Sequence, residues 1–227
     1  TMRHLKRLRC SRAESRRAFI RGVNLGSTFV PERWMVPSLF DGTDATSFCG
    51  LVRQNPTLAA ERMQRHLDTF VTEVDFAWIA ANGFNAVRVP LGFWNALGAV
   101  GTIQYVPADG AQSLFYLDRM FAWAEAHGLS VFLDLHGAPG SQNGADHSGC
   151  DDGHGEGDGI GWGLGTTVTT SLSAIQVLAN RYGAHPAFLG IELLNEPGWA
   201  VEWNHGNLLE YYTQALKIVR AAAPLAL

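Results

Sequence analysis

Glu196 is the residue of this 227-residue chain whose neighbours most invite chemistry. It closes Gly190-Ile191-Glu192-Leu193-Leu194-Asn195-Glu196-Pro197, where an apolar run ends on an amide and a carboxyl group. Partial desolvation at the end of a buried strand keeps such a carboxyl protonated, ready to donate to a departing sugar oxygen, and the adjacent amide suits a sugar 2-hydroxyl. Other apolar runs also end on useful side chains: Asn24, Arg88 and His136. A cation inside a fold is costly unless paired, so Arg88 calls for a carboxylate; a structural ion pair with Asp134 or Glu192 is the plain alternative to a catalytic one. For His136 the plain alternative is a hydrogen-bonded core histidine. Glu192 lies four residues before Glu196, on the same side of a strand by parity and deeper, and reads as a buried structural carboxylate. Trp94, Trp162, Trp199 and Trp203 sit at or after predicted strand ends and are candidate sugar platforms, Trp199 foremost for its proximity to Glu196. Trp78 and Trp123 fall mid-helix and read as core.

The elements that carry these residues recur as one unit: an amphipathic helix, a glycine turn, then a short apolar strand. Thr72–Asn82 opens with the capping pattern Thr72-x-x-Asp75, places Phe76, Ile79 and Ala80 on one face, and stops at Gly83 before the strand Asn85–Pro90. Leu117–His127, with Leu117, Phe121 and Ala124 on one face, stops at Gly128 before Val131–His136. Ser171–Tyr182 and the break Gly183–Pro186 precede Phe188–Glu196, and an earlier strand covers Phe19–Leu25. Near-continuous apolar strands alternating with helices predict a parallel sheet covered by helices. No G-x-G-x-x-G or P-loop motif follows a strand, so nucleotide-binding sheets lose support. Functional side chains at strand ends favour a (β/α)8 barrel, whose active sites form at that end. At the observed spacing the chain accommodates about four of eight units; a helix Asn207–Ala223 leads into Ala-Pro-Leu-Ala-Leu, which reads as the opening of a fifth strand.

The motifs together resemble glycoside hydrolase family 5, most of all its exo-β-1,3-glucanase branch, across residues 18–227. The resemblance rests on Arg21-Gly-Val-Asn-Leu-Gly26 with Glu32, on His66-Leu-Asp-Thr-Phe-Val-Thr-Glu73 and on Asn85-Ala-Val-Arg-Val-Pro-Leu-Gly-Phe-Trp94. It continues through Asp134-Leu-His-Gly-Ala-Pro-Gly-Ser-Gln-Asn-Gly144 and the Asn-Glu-Pro strand. It implies a retaining hydrolase of β-glucosidic bonds with Glu196 as acid/base and Asn195 on the 2-hydroxyl. By the same resemblance Arg88 supports the nucleophile's carboxylate, and His136 and Glu32 line the subsite of the cleaved sugar. Asn143, Asp146, Trp94 and Trp199 are further substrate-binding candidates. The family's nucleophile comes from a later strand, so none is expected in this chain; Glu202 and Glu210, in the loop and helix after the fourth strand, are poor substitutes. Where the family commonly has Phe after Gln-Asn-Gly, this chain has Ala145, which loosens the expected preference for β-1,3-glucan. A non-catalytic sugar-binding role is the alternative function.

Composition agrees with an ordinary globular fold: 47% hydrophobic and 17% charged residues. No apolar run reaches the roughly 18 residues that span a bilayer. Residues 1–17 hold seven Lys/Arg and one Glu; with −4 overall, the remainder carries −10. This basic arm reads as a leader or linker remnant, and the acidic body disfavours nucleic acid as a partner. No secretory signal is visible, yet the resemblance implies an extracellular or cell-wall enzyme, with a full-length parent expected to be monomeric. Cys10, Cys49 and Cys150 lack metal-ligand spacing; Cys49 and Cys150, in predicted loops, suit either a disulfide or free thiols. The acidic loop Gly140–Gly165 fails EF-hand spacing, since position twelve from Asp152 is Gly163, and reads as a rim loop with no metal or cofactor.

Overall fold

The computed structural model describes residues 19–98, 110–148, 160–198 and 205–227. The basic segment 1–17, Trp199, Trp203, Glu202, Cys10, Cys150 and the acidic residues 151–158 lie outside the described residues. Four strands, β1 (Gly22–Asn24), β2 (Ala86–Gly92), β3 (Ser130–Gly137) and β4 (Phe188–Glu192), form one sheet in that order. All three pairings are parallel. The helices are α1 (Phe48–Gln54), α2 (Pro56–Thr69), α3 (Glu73–Ala81), α4 (Phe93–Leu97), α5 (Gly110–His127), α6 (Thr167–Tyr182) and α7 (His205–Ala222). A sheet in sequence order with helical crossovers is the first four units of a (β/α)8 barrel, as the alternation of the sequence predicts.

Local sequence sets the element ends. The Thr72 amide donates to Asp75 Oδ2 (2.7 Å), closing the start of α3, and Asn55 Oδ1 accepts from the Leu58 amide (3.0 Å) ahead of α2, whose first residue is Pro56. Gly83 and Gly128 leave their helices at φ +84° and +70°, a left-handed conformation that a side chain at Cβ disfavours. Several expectations need correction at the ends. β1 spans three residues, not seven, and α5 and α6 begin earlier than the apolar periodicity shows. The strand expected over Phe188–Glu196 ends at Glu192, so Leu193–Glu196 is irregular and strand parity does not relate Glu192 to Glu196. Cys49 lies in α1, not in a loop, and is disulfide-bonded.

Alternation along the strands separates packing from chemistry. Val87, Val89 and Leu91 of β2 and Val131, Leu133 and Leu135 of β3 are at most 1% exposed and pack into the continuous core beneath the helices. Arg88, Asp134, His136 and Glu192 take the other face. Among helix residues, Phe76, Leu117, Phe121 and Ala124 are buried as expected, and Phe121 stacks on Tyr182 with centroids 4.2 Å apart. Trp123 packs edge-on against Phe76, but Trp78 is 62% exposed on α3 and is not core. Past α7 the Leu227 amide donates to the Leu189 carbonyl (2.9 Å), returning the chain to the edge of β4, where the opening of a fifth strand was expected.

His66 of α2 supplies a pH-dependent tie. Its Nε2 lies 2.8 Å from the Ser27 carbonyl oxygen and its ring stacks on Phe70. Burial pushes its imidazole below the ordinary histidine value, outweighing the hydrogen bonds to Ser27 and Thr28. The folded state therefore binds this proton less readily than the unfolded chain. The site's contribution is complete above the unfolded value of about 6.5 and declines as pH falls through it toward the folded one. Thermal unfolding followed from about pH 7.5 to 5.5 should show stability falling with acidification, and His66→Gln should flatten that slope. An unchanged slope in the variant contradicts this origin.

Candidate active site

Arg88 is the hub of the carboxyl end of the sheet. Parallel register sets Asn24 beside Arg88 and Asp134 beside Glu192, so four polar side chains meet on the face away from the helices. Arg88 Nη2 lies 2.8 Å from Asp134 Oδ2 and donates to Asn195 Oδ1 at 2.9 Å. Its Nε donates to Glu192 Oε2 at 2.8 Å and its Nη1 to Asn24 Oδ1 at 3.0 Å. Each edge of the guanidinium fork is thus occupied. The plain alternative for Arg88, an ion pair with Asp134 or Glu192, is realised with both. Glu192 is not the buried carboxylate expected: its side chain is 33% exposed, whereas Asp134 is fully buried. Burial pushes the Asp134 carboxyl above its usual range, and the His136 hydrogen bond and the charges of His136 and Arg88 hold that rise back.

His136, at the end of β3, presents Nδ1 to Asp134 Oδ2 at 2.7 Å, which fixes the ring orientation. Asn195 is 5% exposed. Its Oδ1 is committed to Arg88, and its buried Nδ2 has no hydrogen-bond partner among the described residues. A buried donor left unmatched is costly; here it is the amide expected to meet a sugar hydroxyl.

The irregular segment that carries Asn195 and Glu196 is held by hydrogen bonds from three directions. Tyr211 of α7 donates its hydroxyl to the Leu193 carbonyl (2.5 Å), and the Asn195 amide donates to Leu135 of β3 (3.0 Å). Gln142, wholly buried, donates through Nε2 to the carbonyls of His136 (2.7 Å) and Asn195 (2.9 Å) and accepts from the Ala138 amide (3.0 Å). Asn143 Nδ2 donates to the Glu196 carbonyl at 3.0 Å. Glu196 sits at φ +42°, a left-handed conformation uncommon for a side-chain-bearing residue and maintained by this surrounding network. Its side chain is 70% exposed, so the desolvating surroundings expected at this carboxyl are not provided by the described residues.

His147 joins two loops to Glu196. Its Nε2 lies 3.2 Å from Glu196 Oε2 and its Nδ1 3.8 Å from Glu32 Oε2. Glu32 also accepts from Trp34 Nε1 at 2.9 Å. The structure therefore brings together Glu196, Asn195, Arg88, His136, Glu32 and Asn143. Asp146 sits further out, exposed, with Oδ1 accepting from Thr46 Oγ1 at 2.9 Å. Two tryptophan expectations need correction. Trp94 is 4% exposed and packs edge-on against Phe93, and Trp162 is 3% exposed, bonded to Ser171 Oγ and packed on Tyr211. Neither offers an open face to a sugar. Trp34, 77% exposed beside Glu32, does.

Gln142, His147, Tyr211 and Trp34 also build this end of the sheet, although nothing in their local sequence singles them out. Gln142 sits inside the Asp134–Gly144 motif, but only the folded loop shows its amide bridging β3 and the irregular segment after β4. Trp34 lies two residues after Glu32, a spacing with no meaning in an irregular segment. Among the described residues no group of three or more His, Cys, Asp or Glu side chains is placed to hold a metal ion, and no helix is long and apolar enough to cross a membrane.

The Asn-Glu pair, the paired arginine and the carboxylate-bound histidine lie at the C-terminal end of a parallel β/α sheet, where barrel enzymes assemble their active sites. The sequence profile of cellulase, glycosyl hydrolase family 5, matches residues 54–227, and the chain belongs to that family. It is 42% identical over 225 residues to a protein named probable glucan 1,3-beta-glucosidase A of Emericella nidulans, covering 96% of this chain and 52% of that one. It is 44% identical over 186 residues to glucan 1,3-beta-glucosidase of Blumeria graminis, covering 78% and 41% respectively. The chain thus spans about half the length of the curated relatives it matches. In fold it is similar to rutinosidase from Aspergillus niger, with a TM-score of 0.75 at 18% identity over 90% of this chain and 60% of that one. It also resembles the protein AoRut, with a TM-score of 0.74 at 21% identity over 91% and 60%.

Proposed function

We propose that this chain carries the acid/base half of a retaining glycoside hydrolase that cleaves β-glucosidic bonds, with β-1,3-glucan as its substrate class, acting at the cell wall or outside the cell. The observation that carries the reading is the Asn195-Glu196 pair held at the C-terminal end of the sheet beside Arg88. In this reading Glu196 protonates the departing oxygen and then deprotonates water, and Asn195 Nδ2 meets the sugar 2-hydroxyl. Arg88 holds Asn195 in place and orients the carboxylates around it, while His136 and Glu32 contact sugar hydroxyls. Retention needs a second carboxylate about 5–5.5 Å from the first. The reading gives that role to no carboxylate of this chain and expects it from a longer product of the gene. The relatives' names support the β-1,3 linkage; Ala145 in place of the family's usual Phe supports a looser fit at the pocket mouth.

The test is hydrolysis of laminarin and a nitrophenyl β-glucoside by the 227-residue chain and by a product extended to the next stop codon. Turnover by the extended product supports the reading, and absence of turnover by either contradicts it. Saturable binding of gluco-oligosaccharides with no turnover in either form supports instead a non-catalytic sugar-binding role.

Trp34 is expected to stack on sugar, since its N–H edge is anchored on Glu32 and its face is open. Trp34→Ala should weaken laminari-oligosaccharide binding about tenfold by calorimetry, in keeping with the 0.5–1.5 kcal/mol typical of aromatic stacking. Trp34→Phe, which keeps a ring, should lose less. Equal affinity in wild type and Trp34→Ala removes the platform from the account.

A further inference from the structure

We propose that His147 is a positioning residue that holds the Glu196 carboxylate and couples it to Glu32, so that one imidazole sets the orientation of two carboxylates in the site. This rests on Glu196 being the acid/base. Among the described residues the ion-pair contact of Glu196 is with His147, Nε2 to Oε2 at 3.2 Å. The other ring nitrogen faces Glu32 Oε2 at 3.8 Å. A glutamate side chain that is 70% exposed samples many rotamers unless a partner selects one. The ring is better placed to select than to be selected, because its own side chain is only 22% exposed. His136 lies against it with centroids 5.1 Å apart, and the Asn143 amide neighbours Nε2 at 3.4 Å without bonding to it, since that nitrogen's hydrogen faces Glu196. Asn143 also donates to the Glu196 carbonyl, so the loop after β3 holds both the backbone and the side chain of Glu196.

The chemistry follows from donor count. An imidazolium has an N–H for each carboxylate, whereas a neutral imidazole has one to give. With the ring charged, it can hold both carboxylates at once. With the ring neutral, one pairing is released and that carboxylate is free to turn. Among the described residues the groups that face this ring are Glu196 from the segment after β4, Glu32 from the loop after β1, and His136 from β3 with Asp134 behind it. On its own loop Asp146 is engaged by Thr46. His147 therefore holds the Glu196 carboxylate and does not simply pack against the site.

Two measurements test this. In the 227-residue chain, the ring nitrogen resonances of His147 should move by several ppm in Glu196→Gln at Nε2 and in Glu32→Gln at Nδ1. No response at either nitrogen overturns the proposal whether or not the chain is active. In the active form of the protein, His147→Ala should lower kcat on an aryl β-glucoside about tenfold, leave KM within about twofold and move the pH optimum by about half a unit or more. His147→Gln, whose amide still donates to Glu196, should recover most of kcat at the altered optimum. An unchanged pH profile in His147→Ala overturns the positioning role while leaving Glu196 as acid/base. A shifted resonance in a protein that hydrolyses no glucoside overturns the acid/base reading while leaving the pairing intact.

Discussion

Replacing Arg88 with alanine should lower the thermal unfolding midpoint by roughly 6–12 °C, the largest stability loss expected from any single polar side chain of the site. Arg88 neutralises the fully buried Asp134, pairs with Glu192 and satisfies the amide oxygens of Asn24 and Asn195. Without it, Asp134 keeps only His136 as partner in a place where a charge is poorly solvated. Removing one partner of a buried pair costs about 3–5 kcal/mol. The lower part of that range fits here, because Arg88 is itself 25% exposed and Asp134, already pushed toward its protonated form, can neutralise. Arg88→Lys should restore less than half of the loss, since an ammonium is a point charge and cannot span two carboxylates and two amides. Circular dichroism melts of the three proteins decide the matter: a midpoint within about 2 °C of wild type for Arg88→Ala means that the sheet end does not depend on this hub.

Much of this arrangement was legible in residues. Arg88 and His136 stood out as polar side chains ending apolar runs, and the folded strands place them with Asp134 on the face opposite Val87, Val89, Leu133 and Leu135. Glycine at 83 and 128 marked helix ends through a backbone conformation that few other residues accept. Sequence pattern failed where the backbone is irregular. Leu193 to Glu196 continues the apolar-then-polar pattern of a strand, yet its carbonyls are taken by Tyr211, Gln142 and Asn143 instead of by a neighbouring strand. Those partners lie 18, 53 and 53 residues away in sequence, beyond the reach of any local periodicity. Tryptophan roles were the least readable. Trp94 and Trp162 follow strand ends but are buried, and Trp34 and Trp78 are open. Whether an indole faces core or solvent depends on the loop path, not on its distance from a strand.

The central claim is that Glu196 supplies and removes the proton, and its amide isostere tests it. A general acid contributes about 10²–10⁴-fold to a step with a poor leaving group and far less where the leaving group departs without a proton. Both kinds of substrate are therefore needed, assayed with the active form of the protein and its Glu196→Gln variant. The account predicts that Glu196→Gln lowers kcat/KM on laminari-oligosaccharides by at least about a hundredfold and by far less on dinitrophenyl β-glucoside, whose leaving group needs no proton. Equal losses on the two substrates, or no loss on the oligosaccharide, would contradict it.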